Sequence, residues 1–143
     1  MKQLLILLLV GATSCTSPQP AEQKKDGVAN AQEKALVTVP LNNGSKWNAD
    51  EITKKNVAET AAIMNNSIYQ GPGNRKQLAA AIETRLDTLI RQCSMKGADH
   101  DALHLWLEKV LKDLQEVKDE HNEYTEVYNA LKRDIESFYA VFD

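Results

Sequence analysis

A thiol, a thioether and two imidazoles fall within the stretch Cys93-Ser94-Met95-Lys96-Gly97-Ala98-Asp99-His100-Asp101-Ala102-Leu103-His104. Histidines four apart lie one above the other on a helix face, roughly 6 Å apart, and can share one metal ion. Neutral imidazole and thiolate are the forms that bind metal. A thiolate, a thioether and two imidazoles suit copper in either oxidation state, or zinc if the thioether drops out. The stretch predicts a metal centre with Cys93, His100 and His104 as ligands and Met95 as the fourth. Each residue also has an ordinary use. A cysteine on an apolar stripe is commonly a small buried hydrophobe. A histidine in a first helical turn can be a cap or a hydrogen-bonded core group, and Met95 can plug the end of a bundle.

Other chemistries find less support. The spacing His100-Asp101-x-x-His104 resembles the zincin pattern, but Asp101 stands where that pattern has a glutamate base. A carboxylate one methylene shorter reaches a metal-bound water poorly. Haem held by a histidine and Met95 lacks any attachment motif. There is no nucleophile elbow, phosphate-binding glycine loop or pair of catalytic carboxylates, so the chain does not read as an enzyme. The sequons at Asn43 and Asn65 read as chance matches in a bacterial chain.

Four amphipathic stripes must position the candidate ligands. Helix 1 is expected from an N-cap at Asn48, with Glu51 three residues on and Trp47 and Ile52 as a hydrophobic staple, running to about Tyr69. Its stripe is weak, because Asn56 falls where an apolar residue belongs. Helix 2 starts at Asn74 with the line Leu78, Ile82, Leu86, Leu89, Cys93, and Gly97 lies just past its end. Helix 3 takes Asp99 as N-cap and puts His100 and His104 on its apolar line with Leu107 and Leu114, while Trp106 flanks that face. Lys118 to Asn122 carries no apolar residue, and a turn is preferred there over one long kinked helix. Helix 4 follows with Tyr124, Leu131, Ile135, Phe138 and Phe142. Four such stripes with short loops predict an all-α, up-down-up-down four-helix bundle over residues 41–143. In that topology Cys93, Met95, His100 and His104 gather at one pole, with Trp47, Asn56 and Phe138 lining the pocket, and His121 falls at the other.

The N-terminus supplies an address. Met1-Lys2-Gln3 is a short positive start, Leu4 to Val10 an apolar run too short to span a bilayer, and small residues lead to Cys15. Ala12-Thr13-Ser14-Cys15 resembles the lipobox of bacterial lipoproteins in its relaxed, Bacteroidota-type form, with alanine where the usual pattern has leucine. That resemblance implies a signal peptide over residues 1–14, lipid (palmitate among its chains) on Cys15, and anchoring to the periplasmic face of the outer membrane. Residues 15–40, rich in Pro, Gln, Ala, Ser and Lys at the start, read as a flexible tether. If Cys15 carries lipid, Cys93 has no partner for a disulfide. The 143-residue chain has a net charge of -3 with interspersed signs, which argues against nucleic acid as a partner. The membrane is the partner that the leader implies, and an envelope protein is a second. Without a metal, the same bundle reads as a structural or protein-interaction module of the envelope.

Overall fold

The computed structural model describes residues 39–143, and the expected signal peptide, Cys15 and nearly all of the tether lie outside them. Its helices are α1 (Glu51–Asn65), α2 (Arg75–Gln92), α3 (Gly97–Lys118), α4 (Tyr124–Glu136) and a short α5 (Phe138–Val141). Single 3-10 turns at Ser67–Tyr69 and Pro72–Asn74 lead from α1 to α2. The β pairings among the described residues are isolated bridges, Asn42 with Ser45 and Trp47 with Phe142, so the described chain is all-α. None of the described helices is long and apolar enough to cross a membrane.

The helix α1 is capped two residues later than its sequence suggests. Asp50 accepts the Thr53 N–H at 2.7 Å, which satisfies one of the orphan donors of the first turn. Ile52 is consequently exposed, and Trp47 is held elsewhere: its indole N–H donates to the Pro40 carbonyl at 2.7 Å. The buried face of α1 is largely polar, with Thr53, Asn56 and Thr60 beside Val57 and Met64. Asn56 is not a pocket residue in this arrangement. Its amide donates to the Ile52 carbonyl at 2.9 Å, and Thr60 Oγ1 donates to the Asn56 carbonyl at 2.8 Å, so both side chains are satisfied within α1 itself. The helix stops at Asn65, short of Tyr69, because the Asn66 side chain accepts the Ile68 N–H and closes an Asx turn.

In α2 the expected line holds through Leu78, Ile82, Leu86 and Leu89, which are buried, while Cys93 lies just past the helix end and is half-buried. Asn74 precedes the helix, but its amide reaches back to the Gln70 carbonyl and leaves the first-turn N–H groups alone. In α3 the buried line comprises Ala102, Leu103, Trp106, Leu107, Val110, Leu114 and Val117, with Asp113 among them. Trp106 is thus at the centre of the face and not on its flank. Its ring packs edge-on to Phe138 at 5.2 Å between centroids, and its N–H donates to the Asp134 carbonyl at 2.9 Å. Ser137 Oγ donates to the same carbonyl at 2.7 Å, where α4 ends and α5 begins. The expected break between α3 and α4 is present, with α3 ending at Lys118 and α4 starting at Tyr124.

Helix α1 packs on α2 and α4, α2 on α3, and α3 on α4. The start of α1 meets the end of the chain, where Trp47 N donates to the Val141 carbonyl and Asp143 N donates to the Trp47 carbonyl, both at 2.9 Å. The start of α2 meets the end of α3 through Arg75. Its guanidinium donates to the carbonyls of Asp119 and Asn122 and lies 5.3 Å from the centre of the Tyr124 ring. The Asp119 carbonyl also accepts the Asn122 N–H at 3.2 Å, and the guanidinium supplies a second donor there and one to the Asn122 carbonyl, where α3 stops. Asp134 is buried against Lys109 Nζ at 2.7 Å. Burial pushes its carboxyl up, but a hydrogen bond shared with Asp113, one donated by Lys109 and the charges of Lys109 and Arg133 outweigh that and hold it below the ordinary range.

Candidate functional site

The corner between α2 and α3 is held from outside by the lead-in to α1. Cys93 caps α2, its N–H donating to the Leu89 carbonyl at 2.9 Å. The next residue is clamped: both the N–H and the hydroxyl of Ser94 donate to Asp50 Oδ2 at 2.7 Å. Helix α3 opens at Gly97, whose φ of 65° favours a residue without Cβ. Asp99 therefore lies inside the first turn and is not its cap. Its carboxylate accepts the Asn48 N–H at 3.0 Å, tying the start of α3 to the same lead-in.

The face that α3 turns to the core decides where the candidate ligands point. Leu103 and Trp106 take the core, His100 is half-buried, and His104 is exposed on the neighbouring face. Nε2 of His100 lies 2.9 Å from Nε2 of His104, with the rings 4.4 Å apart and nearly perpendicular. The Cys93 sulfur lies 3.7 Å from Nδ1 of His100. Cys93 and Met95 also pack against the rim of the core, as Trp47 does. Phe138 is fully buried and stacks on Phe142, so it is a core residue and lines no opening.

Three of the four predicted donors, Cys93, His100 and His104, are therefore close, but they form a chain and do not surround a point, while Met95 packs against the core rim. The two nitrogens of an imidazole project from opposite sides of the ring, so a single ion cannot take His100 through Nδ1 and Nε2 together. Among the described residues no group of three or more His, Cys, Asp or Glu side chains converges so as to hold a metal ion. The pair of Nε2 atoms is different. Two nitrogens each at ~2.0–2.1 Å from one ion and at a right angle to each other stand about 2.9 Å apart, whereas a tetrahedral angle separates them by about 3.4 Å. The observed 2.9 Å fits a right-angled chelate, the arrangement of tetragonal copper(II). It also fits an N–H···N hydrogen bond when no ion is present.

The Asp50 clamp was not apparent from the residues forming it, because Ser94 is 44 positions away. The local pattern Asp50-x-x-Thr53 could have marked the true cap. Burial raises the Asp50 carboxyl, but hydrogen bonds from Thr53 and Ser94 prevail and bring it from 3.8 down to about 2. A carboxylate with a depressed value in the folded state stabilises the fold above the unfolded value, and that contribution is lost as pH falls through the folded one. Stability is thus expected to decline between pH 3.8 and about 2 on account of Asp50. Asp50→Ala should cost about 1 kcal/mol at neutral pH and remove that part of the acid limb. Urea denaturation at neutral pH and across the acid window checks both.

At the other pole, His121 is exposed and its Nδ1 lies 2.8 Å from Asp119 Oδ1. A cleft of about 430 Å³ there is lined by Pro72, Gly73, Arg75, Lys76 and Glu120. Sequence reasoning did not single it out, and Lys76 and Glu120 bridge each other across it at 2.8 Å. No family model, no curated protein and no solved structure matches this chain. Its function is therefore read from its own geometry.

Proposed function

We propose that the protein is a lipid-anchored, up-down-up-down four-helix bundle at the periplasmic face of the outer membrane. It binds copper(II), or zinc, through Nε2 of His100 and His104. The observation that carries this reading is the 2.9 Å separation of those two nitrogens on one turn of α3, beside a solvent-facing His104. Two imidazoles leave most of the coordination sphere open. Structural metal sites are closed by four protein ligands, whereas open positions suit exchange, so the role is sequestration, delivery or sensing and not support of the fold. Cys15 as the lipid site is proposed on the lipobox resemblance alone and lies outside the described residues.

Titration of the full-length chain carrying Cys15→Ser with copper(II) and zinc tests the reading. Binding of one ion per chain is expected, and loss of at least tenfold in affinity in the folded His100→Ala/His104→Ala variant. A second reading, a metal-free interaction module of the envelope, is favoured by the lack of a three-ligand group among the described residues. Equal affinity of the parent and the double variant for both ions would remove the two-histidine reading, and absence of measurable binding by either would favour the second.

A further inference from the structure

We infer that Cys93 is a positioning residue for the metal site: its sulfur accepts a hydrogen bond from Nδ1–H of His100 and so presents the Nε2 lone pair to the ion. This inference rests on the two-histidine reading above. A neutral imidazole carries one proton, on Nδ1 or on Nε2, and only the Nδ1–H form has a free lone pair at Nε2. The hydrogen bond made by the far nitrogen selects the form, which is why metal-bound histidines are commonly held by an outer partner. Here that partner is a sulfur 3.7 Å from Nδ1, within reach of a long N–H···S bond.

The placement of the sulfur is over-determined. The Cys93 N–H is fixed to the Leu89 carbonyl, and the adjoining Ser94 is fixed twice to Asp50. The opposite side of the contact is fixed as well, since Asp99 beside His100 holds the Asn48 N–H. Both halves of the thiol–imidazole contact are thereby moored to the same few residues ahead of α1. A cysteine that served only as a small buried hydrophobe would need neither its half-exposed position nor a ring nitrogen in contact with its sulfur. Serine can also accept from Nδ1–H, whereas alanine cannot, and this separates the hydrogen bond from packing.

The test compares Cys93→Ala and Cys93→Ser in the full-length Cys15→Ser chain, with zinc as the probe because it has no redox chemistry with the thiol. Zinc affinity is measured by competition with a chromophoric chelator, and the ring nitrogen-15 shifts of His100 report its tautomer in the metal-free protein. Outer partners of metal-bound histidines are typically worth about 10- to 100-fold in affinity. Cys93→Ala is expected to weaken zinc binding by about tenfold and to shift His100 towards the Nε2–H form, and Cys93→Ser to recover most of both. An alanine variant that binds zinc like the parent, with its His100 tautomer unchanged, overturns the inference while leaving the two-histidine site intact. A serine variant no better than alanine in both readouts overturns it too. Zinc binding by the parent that His100→Ala/His104→Ala leaves undiminished instead removes the site itself.

Discussion

Trp106→Ala is expected to lower the unfolding free energy by about 3–5 kcal/mol, the cost of emptying a fully buried aromatic site. Trp106 is 0 % exposed and makes the edge-on contact with Phe138, so a cavity opens between α3 and the end of α4. The Asp134 carbonyl also loses one of its two side-chain donors. A single domain of this size has roughly 5–15 kcal/mol to lose, so the variant should sit close to its unfolding transition. Trp106→Phe keeps most of the volume and removes the N–H, and it is expected to cost about 1–2 kcal/mol. Urea denaturation of both separates the packing contribution from the hydrogen bond. A cost for alanine no larger than that for phenylalanine would contradict the central place given to this ring.

Arg75→Ala should cost about 2–3 kcal/mol, from loss of two charge-assisted hydrogen bonds and the stacking on Tyr124. Arg75 is 6 % exposed, and its two terminal nitrogens serve the carbonyls of Asp119 and Asn122. These lie where α3 ends and the turn to α4 begins, so the variant strips the Asn122 carbonyl of its guanidinium donor and leaves the Asp119 carbonyl with the Asn122 N–H alone. Lysine is not an adequate replacement, because a single ammonium lacks the planar fork that reaches both oxygens. Arg75→Lys is expected to recover less than half of the loss. Thermal or urea unfolding measures this, and hydrogen exchange should localise the added opening to residues around 115–125. Full recovery by lysine would mean that the charge matters and the fork does not.

The all-α architecture was legible because apolar spacing alone determines α2 and α4. Leu78, Ile82, Leu86 and Leu89 could be buried together only on a helix, and so could Tyr124, Leu131 and Ile135. The turn at 118–122 was legible for the opposite reason: nothing in it could be buried. What escaped was register at helix starts. Asn48 and Asp99 are both good caps in isolation, yet the backbone N–H of one bonds to the carboxylate of the other, and the helices start at Glu51, capped by Asp50, and at Gly97. A contact across 51 positions cannot be read from local pattern.

The facing of α3 is a separate matter, set by tertiary packing. The face of α3 that packs inward centres on Leu103, Trp106 and Val110, so Trp106 lies at the middle of the buried face and His104 faces solvent. The expected gathering of thiol and imidazoles at one pole is present, but in the order sulfur, His100, His104. Residue types could suggest which side chains meet. Which edge of the His100 ring faces which neighbour depends on χ angles set by tertiary contacts, and no spacing rule contains them. Asn56 shows the same limit, since an amide on an apolar stripe can equally face a site or bond within its own helix, as it does.

Electron paramagnetic resonance of copper(II) bound to the full-length Cys15→Ser chain tests the two-histidine chelate most directly. Histidine labelled with nitrogen-15 should change the hyperfine pattern in the way two equivalent imidazole nitrogens require. The spectrum should be tetragonal and should lose that pattern in His100→Ala/His104→Ala. A copper spectrum with no imidazole coupling, or one that the double variant leaves unchanged, would contradict the account.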